Sequence, residues 1–102
     1  MALASYFVAC VRWHDAKAAD AYADLVVQSL RPFGGKYLAR GAPAAVYEGA
    51  SAPERLAILE FPNSTAIRNW FDSADYRRAL KIRHDSATTF WTVVMEGEGA
   101  PS

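Results

Sequence analysis

Apolar and polar positions along the 102-residue chain change period repeatedly, and each change marks the boundary of an element. From Leu3 to Trp13, Tyr6, Val8 and Cys10 alternate with Phe7, Ala9 and Val11, and both sets are apolar. That is the pattern of a strand covered on both faces. His14 and Asp15 interrupt it. With Asp15 as N-cap, Ala16 to Arg31 carries a helical stripe through Ala19, Tyr22, Val26 and Leu30, with Phe33 just beyond. Pro32 and the Gly34–Gly35 pair stop this helix. Lys36 to Glu48 reads as extended, and breaks at Gly41 and Pro43 leave open one bent strand or two short ones.

After a turn in "GASAPE", the run "RLAILEF" (Arg55 to Phe61) predicts a strand with Leu56, Ile58 and Glu60 on one face. Pro62 ends it, and Asn63 or Ser64 caps a second helix with Ile67, Trp70 and Phe71 on its packing side. Ser73 with Asp75 makes a fresh N-terminus, so this helix kinks or restarts there. In "SADYRRALKIRHDSAT", a turn of about 100° per residue puts Tyr76, Ala79, Leu80, Arg83 and Ala87 on one side. Arg77, Arg78, Lys81 and Asp85 take the other. Thr88 to Glu96 is the last strand, and residues 98–102 form a flexible tail.

The order β-α-β-β-α-β predicts an α+β fold: one ferredoxin-like domain over residues 1–97, with an antiparallel four-stranded sheet and both helices on one face. Such a sheet should turn a polar face to water. Its first, third and fourth strands are apolar on both faces instead, which calls for a cover, and a second copy of the chain is the simplest one.

Charge refines this picture. Eleven basic and eleven acidic residues balance, which fits a globular chain and argues against a nucleic-acid partner. The cluster Arg77, Arg78 and Lys81 reads as a solvated helix face. Cys10 is the single cysteine, so neither an internal disulfide nor a thiolate metal cluster is available, and a reduced cytoplasmic setting fits. "MALASYFVACVRW" lacks the basic start of a signal peptide and reads as a strand. No run reaches the ~18–20 apolar residues of a membrane span, so no membrane partner is expected.

Candidate chemistry begins with Arg83, a guanidinium in the middle of an apolar stripe. Two readings stay open: an internal ion pair, with Glu60 as the acid on an apolar face, or an anchor for a carboxylate or phenolate. Tyr76, on the same stripe, offers a hydroxyl to a substrate carbonyl, or packs with its polar tip at the edge. Arg40 closes "YLAR" and supplies a second positive contact or an ordinary surface charge. Trp70, with Phe71, Trp13 and Trp91, lines a pocket or fills the core. His84 lies beside the inner stripe and His14 at a strand–helix turn, neither at metal-ligand spacing. No metal site, phosphate loop, nucleophile elbow or dinucleotide fingerprint is present, so no cofactor is predicted.

"GGKYLARG", "YEG", "PERLAILEFPN" and "WFDSADY", followed by Arg83, Ala87 and "MEG", resemble in order and spacing the family called domain of unknown function 1330. Ala74 stands where that family usually has proline. The resemblance implies the dimeric α+β barrel superfamily, in which two ferredoxin-like units join their sheets. Relatives there include cofactor-free monooxygenases, polyketide cyclases, lactone isomerases and haem-degrading enzymes, with ligands in the cleft between helices and sheet. By analogy, the expected function is a homodimer acting on a small aromatic or carboxylate-bearing metabolite. Arg83 and Arg40 would hold the anion, Trp70 and His84 would touch the ligand, and Tyr76 and Glu60 would serve as acid and base. The alternative is a non-catalytic dimer whose buried polar residues are structural.

Overall fold

The computed structural model describes residues 3–50 and 54–98. Residues 99–102 of the expected tail and residues 51–53 of the "GASAPE" turn lie outside the described residues. β1 (Ser5–Trp13) leads into α1 (Ala16–Leu30), which is capped by the Asp15 carboxylate accepting the Lys17 amide at 2.9 Å. A single 3₁₀ turn, Arg31–Phe33, follows where Pro32 forbids further α-helix. Gly34 ends it in the left-handed region at φ 70°, and a Cβ there would meet Pro62 Cγ at 2.9 Å. Glycine is therefore required twice over at this corner.

β2 (Lys36–Gly41) is shorter than the extended stretch read from the sequence, and residues 42–50 form no strand. β3 (Arg55–Phe61) has the expected bounds. The second helical region is two helices, α2 (Ser64–Phe71) and α3 (Ala74–Ser86). Asn63 caps α2 by accepting the Ala66 amide at 2.8 Å. Ser73 makes the break: its hydroxyl donates to the Trp70 carbonyl at 2.7 Å and accepts the Tyr76 amide at 3.2 Å. One side chain thus closes α2 and opens α3. Asp75 in the first turn of α3, and Arg83 and His84 in the last, match the helix dipole. α3 runs straight into β4 (Ala87–Glu96).

The strands pair antiparallel in the order β2-β3-β1-β4, the ferredoxin-like arrangement. Register divides the sheet into two faces. Phe7 lies opposite Leu59 and Val94, while Val8 lies opposite Ile58 and Val93. The helices cover the Phe7 face. There Phe7, Val26, Leu30, Leu59, Phe61, Ile67, Trp70 and Tyr76 form the core. The described residues span only 17 Å through their thinnest axis, two layers deep, so none of them forms a layer over the Val8 face.

Trp70 is fully buried and packs edge-on against Phe7, with ring centroids 5.2 Å apart. Its indole N–H donates at 2.9 Å to Ser29 Oγ, which in turn donates to the Val26 carbonyl at 2.7 Å. The placement of Trp70 as a ligand contact is corrected accordingly: its ring and its one polar atom are both committed to the core.

Candidate functional site

Between α1 and the helix-side face of the sheet lies a cavity of about 210 Å³. Its apolar wall comes from Phe7, Ala9, Val11 and Leu59 on the two central strands. Its polar lining is Tyr22 and Asp20 from α1, Tyr37 and Arg40 from β2, Arg55 from β3, and Arg83 from α3. Three guanidiniums against one carboxylate give the lining a positive balance.

Arg83 is 2% exposed, as its place on the α3 stripe requires. Among the described residues no carboxylate pairs with it. Nη1 donates to Thr89 Oγ1, Nη2 donates to Tyr76 Oη at 3.3 Å, and the guanidinium sits 5.9 Å from the centre of the Tyr22 ring. Nε–H is buried with no partner among the described residues. Burial opposes the charge, but the oxygens of Tyr76 and Tyr22 outweigh it and raise the pKa, so the group stays cationic. The cavity is thus faced by a buried cation with an unspent donor.

The expected pairing of Arg83 with Glu60 is overturned. Glu60 does share a face with Leu56 and Ile58, as alternation requires, but that is the face turned away from the helices. There it meets Lys36 at 3.3 Å. Because both faces of β3 are apolar, the pattern could not say which one the helices cover. Glu60 is therefore no base for a ligand in the helix–sheet cleft. His84 is likewise excluded from the cavity lining, because one residue beyond Arg83 the helix turns it to solvent.

Arg40 does line the cavity, with its guanidinium 4.6 Å from the centre of the Tyr37 ring. Tyr76 is fully buried and stands behind the cavity, its hydroxyl 3.0 Å from that of Tyr22. Tyr22, read from the sequence only as part of a packing stripe, is the phenol that lines the space. Tyr37, Arg55 and Asp20 were also missed. The signal for Tyr22 was available, because a polar tip on an apolar stripe is the same argument that singled out Arg83. The phenol of Tyr22 is raised well above its ordinary pKa by burial and by Tyr76, with Arg83 opposing. Burial also raises Tyr37, with Arg40 opposing. Both rings keep their protons at neutral pH.

Arg77 and Lys81 pair with Asp72 and Asp85 on the solvent side, both at 2.9 Å, as a solvated face should. No group of three or more metal-ligating side chains occurs among the described residues. No helix among them is long and apolar enough to cross a membrane.

The model of a domain of unknown function (DUF1330) matches residues 4–97. No curated protein sequence matches the chain. Among solved structures, a protein of unknown function from Rhodopseudomonas palustris is similar, with TM-score 0.73 and 17% identity over 98% of this chain and 86% of that one. A dimeric ferredoxin-like protein of unknown function from Thermobifida fusca has TM-score 0.63 and 18% identity, over 94% and 91% of the two chains. SnoaB, a cofactor-independent oxygenase from Streptomyces nogalater, has TM-score 0.69 and 11% identity over 97% of each chain. At these identities the likeness is one of fold.

Proposed function

The chain belongs to the family of domain of unknown function 1330, and we propose that it binds a small anionic metabolite, aromatic or carboxylate-bearing, in the helix–sheet cavity. The observation that carries this is Arg83: a guanidinium buried under α3 with no carboxylate partner among the described residues, lining a cavity with an apolar wall and holding an unspent N–H. Leaving such a donor unmet costs free energy that a ligand oxygen would recover. At about 210 Å³ the cavity exceeds the ~150 Å³ that admits a benzene ring. Arg40 at the same lining adds a second cation, and Trp13 and Tyr22, with centroids 5.2 Å apart, offer aromatic surface.

Acid–base chemistry without a cofactor is the reaction class that suits this lining, with the phenols as proton donors and Asp20 as the carboxylate available to accept. The similarity of fold to a cofactor-independent oxygenase keeps that class in view. The binder works as a homodimer in this reading, as the apolar Val8 face and the dimeric fold neighbour both support.

Ligand-detected NMR against a library of aromatic acids and phenols tests the proposal. Wild type should bind members of the library and Arg83→Met should not. If no compound distinguishes the two proteins, the polar cluster is structural and the alternative of a non-catalytic dimer stands.

A further inference from the structure

The hydrogen bonds behind the cavity have a direction, and it selects the ligand. Arginine carries N–H donors and no acceptor, so the 3.3 Å contact runs from Arg83 Nη2 to Tyr76 Oη and never the reverse. Tyr76 is fully buried, and its hydroxyl hydrogen needs an acceptor. The acceptor within reach is Tyr22 Oη at 3.0 Å. Were Tyr22 the donor instead, the Tyr76 hydrogen would be buried and unmet. The chain therefore runs Arg83 to Tyr76 to Tyr22, and the Tyr22 hydroxyl hydrogen is left without a protein acceptor among the described residues. Tyr22 lines the cavity and Tyr76 does not.

We infer that Tyr22 is the donor that reads the ligand, and that the Arg83 end of the cavity selects an anionic acceptor oxygen, such as a phenolate, enolate or carboxylate, over an ammonium, which has donors but no lone pair to accept with. This rests on the reading of the cavity as an anion site. Tyr76 is then a positioning residue: it accepts from the buried cation and turns the Tyr22 proton outward. Because Arg83 donates to Tyr76 from behind, the direction of both hydroxyl bonds in the chain is fixed.

The probe is 4-nitrophenolate, whose visible absorbance reports its ionised oxygen. Wild type should bind it and raise its ionised fraction at fixed pH. Tyr22→Phe keeps Arg83 and the ring but removes the donor, and should weaken binding roughly 10- to 100-fold, the range for a hydrogen bond to a charged group. Binding of toluene, which offers no acceptor, should be unchanged. 3-Fluorotyrosine placed at position 22 is a more acidic donor in the same shape and should tighten phenolate binding, a gain that a structural role would not produce. It also carries the test if Tyr22→Phe fails to fold. If wild type binds 4-nitrophenolate but neither change at position 22 alters its affinity, the assignment of Tyr22 is wrong and the anion site survives. If wild type binds neither 4-nitrophenolate nor benzoate, the anion site itself falls, and the inference with it.

Discussion

At the residue scale, the buried phenols tie stability to pH. Tyr22 and Tyr37 have pKa values raised in the folded state, Tyr22 well above the ordinary 10.0, each chiefly through burial. Above the unfolded pKa the unfolded chain releases protons that the folded chain keeps, so it binds fewer protons and stability falls as pH rises. The contribution is fully present at neutral pH and is lost upward from about pH 10, the unfolded tyrosine value. Thermal midpoints measured from pH 8 upward should be flat and then drop, and Tyr22→Phe should blunt the drop. A midpoint indifferent to pH through that window would mean that these phenols ionise as freely when folded. Arg83 yields a second outcome. Arg83→Met exchanges an incompletely bonded buried charge for an apolar side chain, a change that is often neutral or stabilising. Its urea midpoint should match or exceed that of wild type, even as anion binding disappears. Helical period alone was enough to place Arg83 under α3. It put Tyr76 on the same stripe, but it could not supply Tyr22 and Thr89, which come from other elements, and none of the three is a carboxylate.

At the element scale, the legible features were those fixed by neighbouring residues. Asp15, Asn63 and Ser73 all cap helices as their positions suggest. The restart at Ser73 was readable because a capping residue and an acid two positions later mark a helix start whatever surrounds them. The faces of β3 were not readable, since Leu56 and Ile58 on one side and Leu59 and Phe61 on the other are equally apolar, and only the packing of the helix layer, as of Trp70 on Phe61, separates them. The extended reading past Gly41 failed for a related reason: β2 is an edge strand, and pairing with β3 decides where it ends. Ser29 carries no local signal because its partner, the Trp70 indole, is 41 residues away. Ser73 should be the most sensitive of the caps. Ser73→Ala removes the acceptor for the Tyr76 amide and the donor to the Trp70 carbonyl together, and should cost about 1–2 kcal/mol in chemical denaturation. Ser73→Asp restores the cap but not the donor and should recover part of the loss. Equal stability of all three proteins would show that the break between α2 and α3 is held by packing alone.

At the scale of the whole molecule, the apolar face of the sheet left open by the described residues predicts a partner. Tyr6, Val8, Ile58 and Leu56 are only partly covered, while Trp91, Val93 and Met95 of β4 are 43%, 42% and 59% exposed. Together they form a continuous apolar surface of the kind that single chains rarely leave to water. A second copy placed face to face would bury it with twofold symmetry, each patch meeting its own equivalent. Glu60 and Lys36, bonded to each other at the rim of this face, can keep their charges beside water in such a pair. Sedimentation at micromolar concentration should give one species of twice the 11.2 kDa chain mass. Val8 lies between Ile58 and Val93 in the register, so these positions mark the middle of the patch. Ile58→Lys with Val93→Lys would bury four like charges in the joined sheets and should yield monomers. The melting temperature of wild type should also rise with protein concentration, since association stabilises the folded state by mass action, and that of the double variant should not. The cavity lies on the opposite face, so a folded monomeric variant that still binds a small anion would show each chain to hold a complete site. Loss of binding with the fold intact would mean instead that the partner shapes the cavity through β1 and β3, whose residues form both the joined face and the cavity wall.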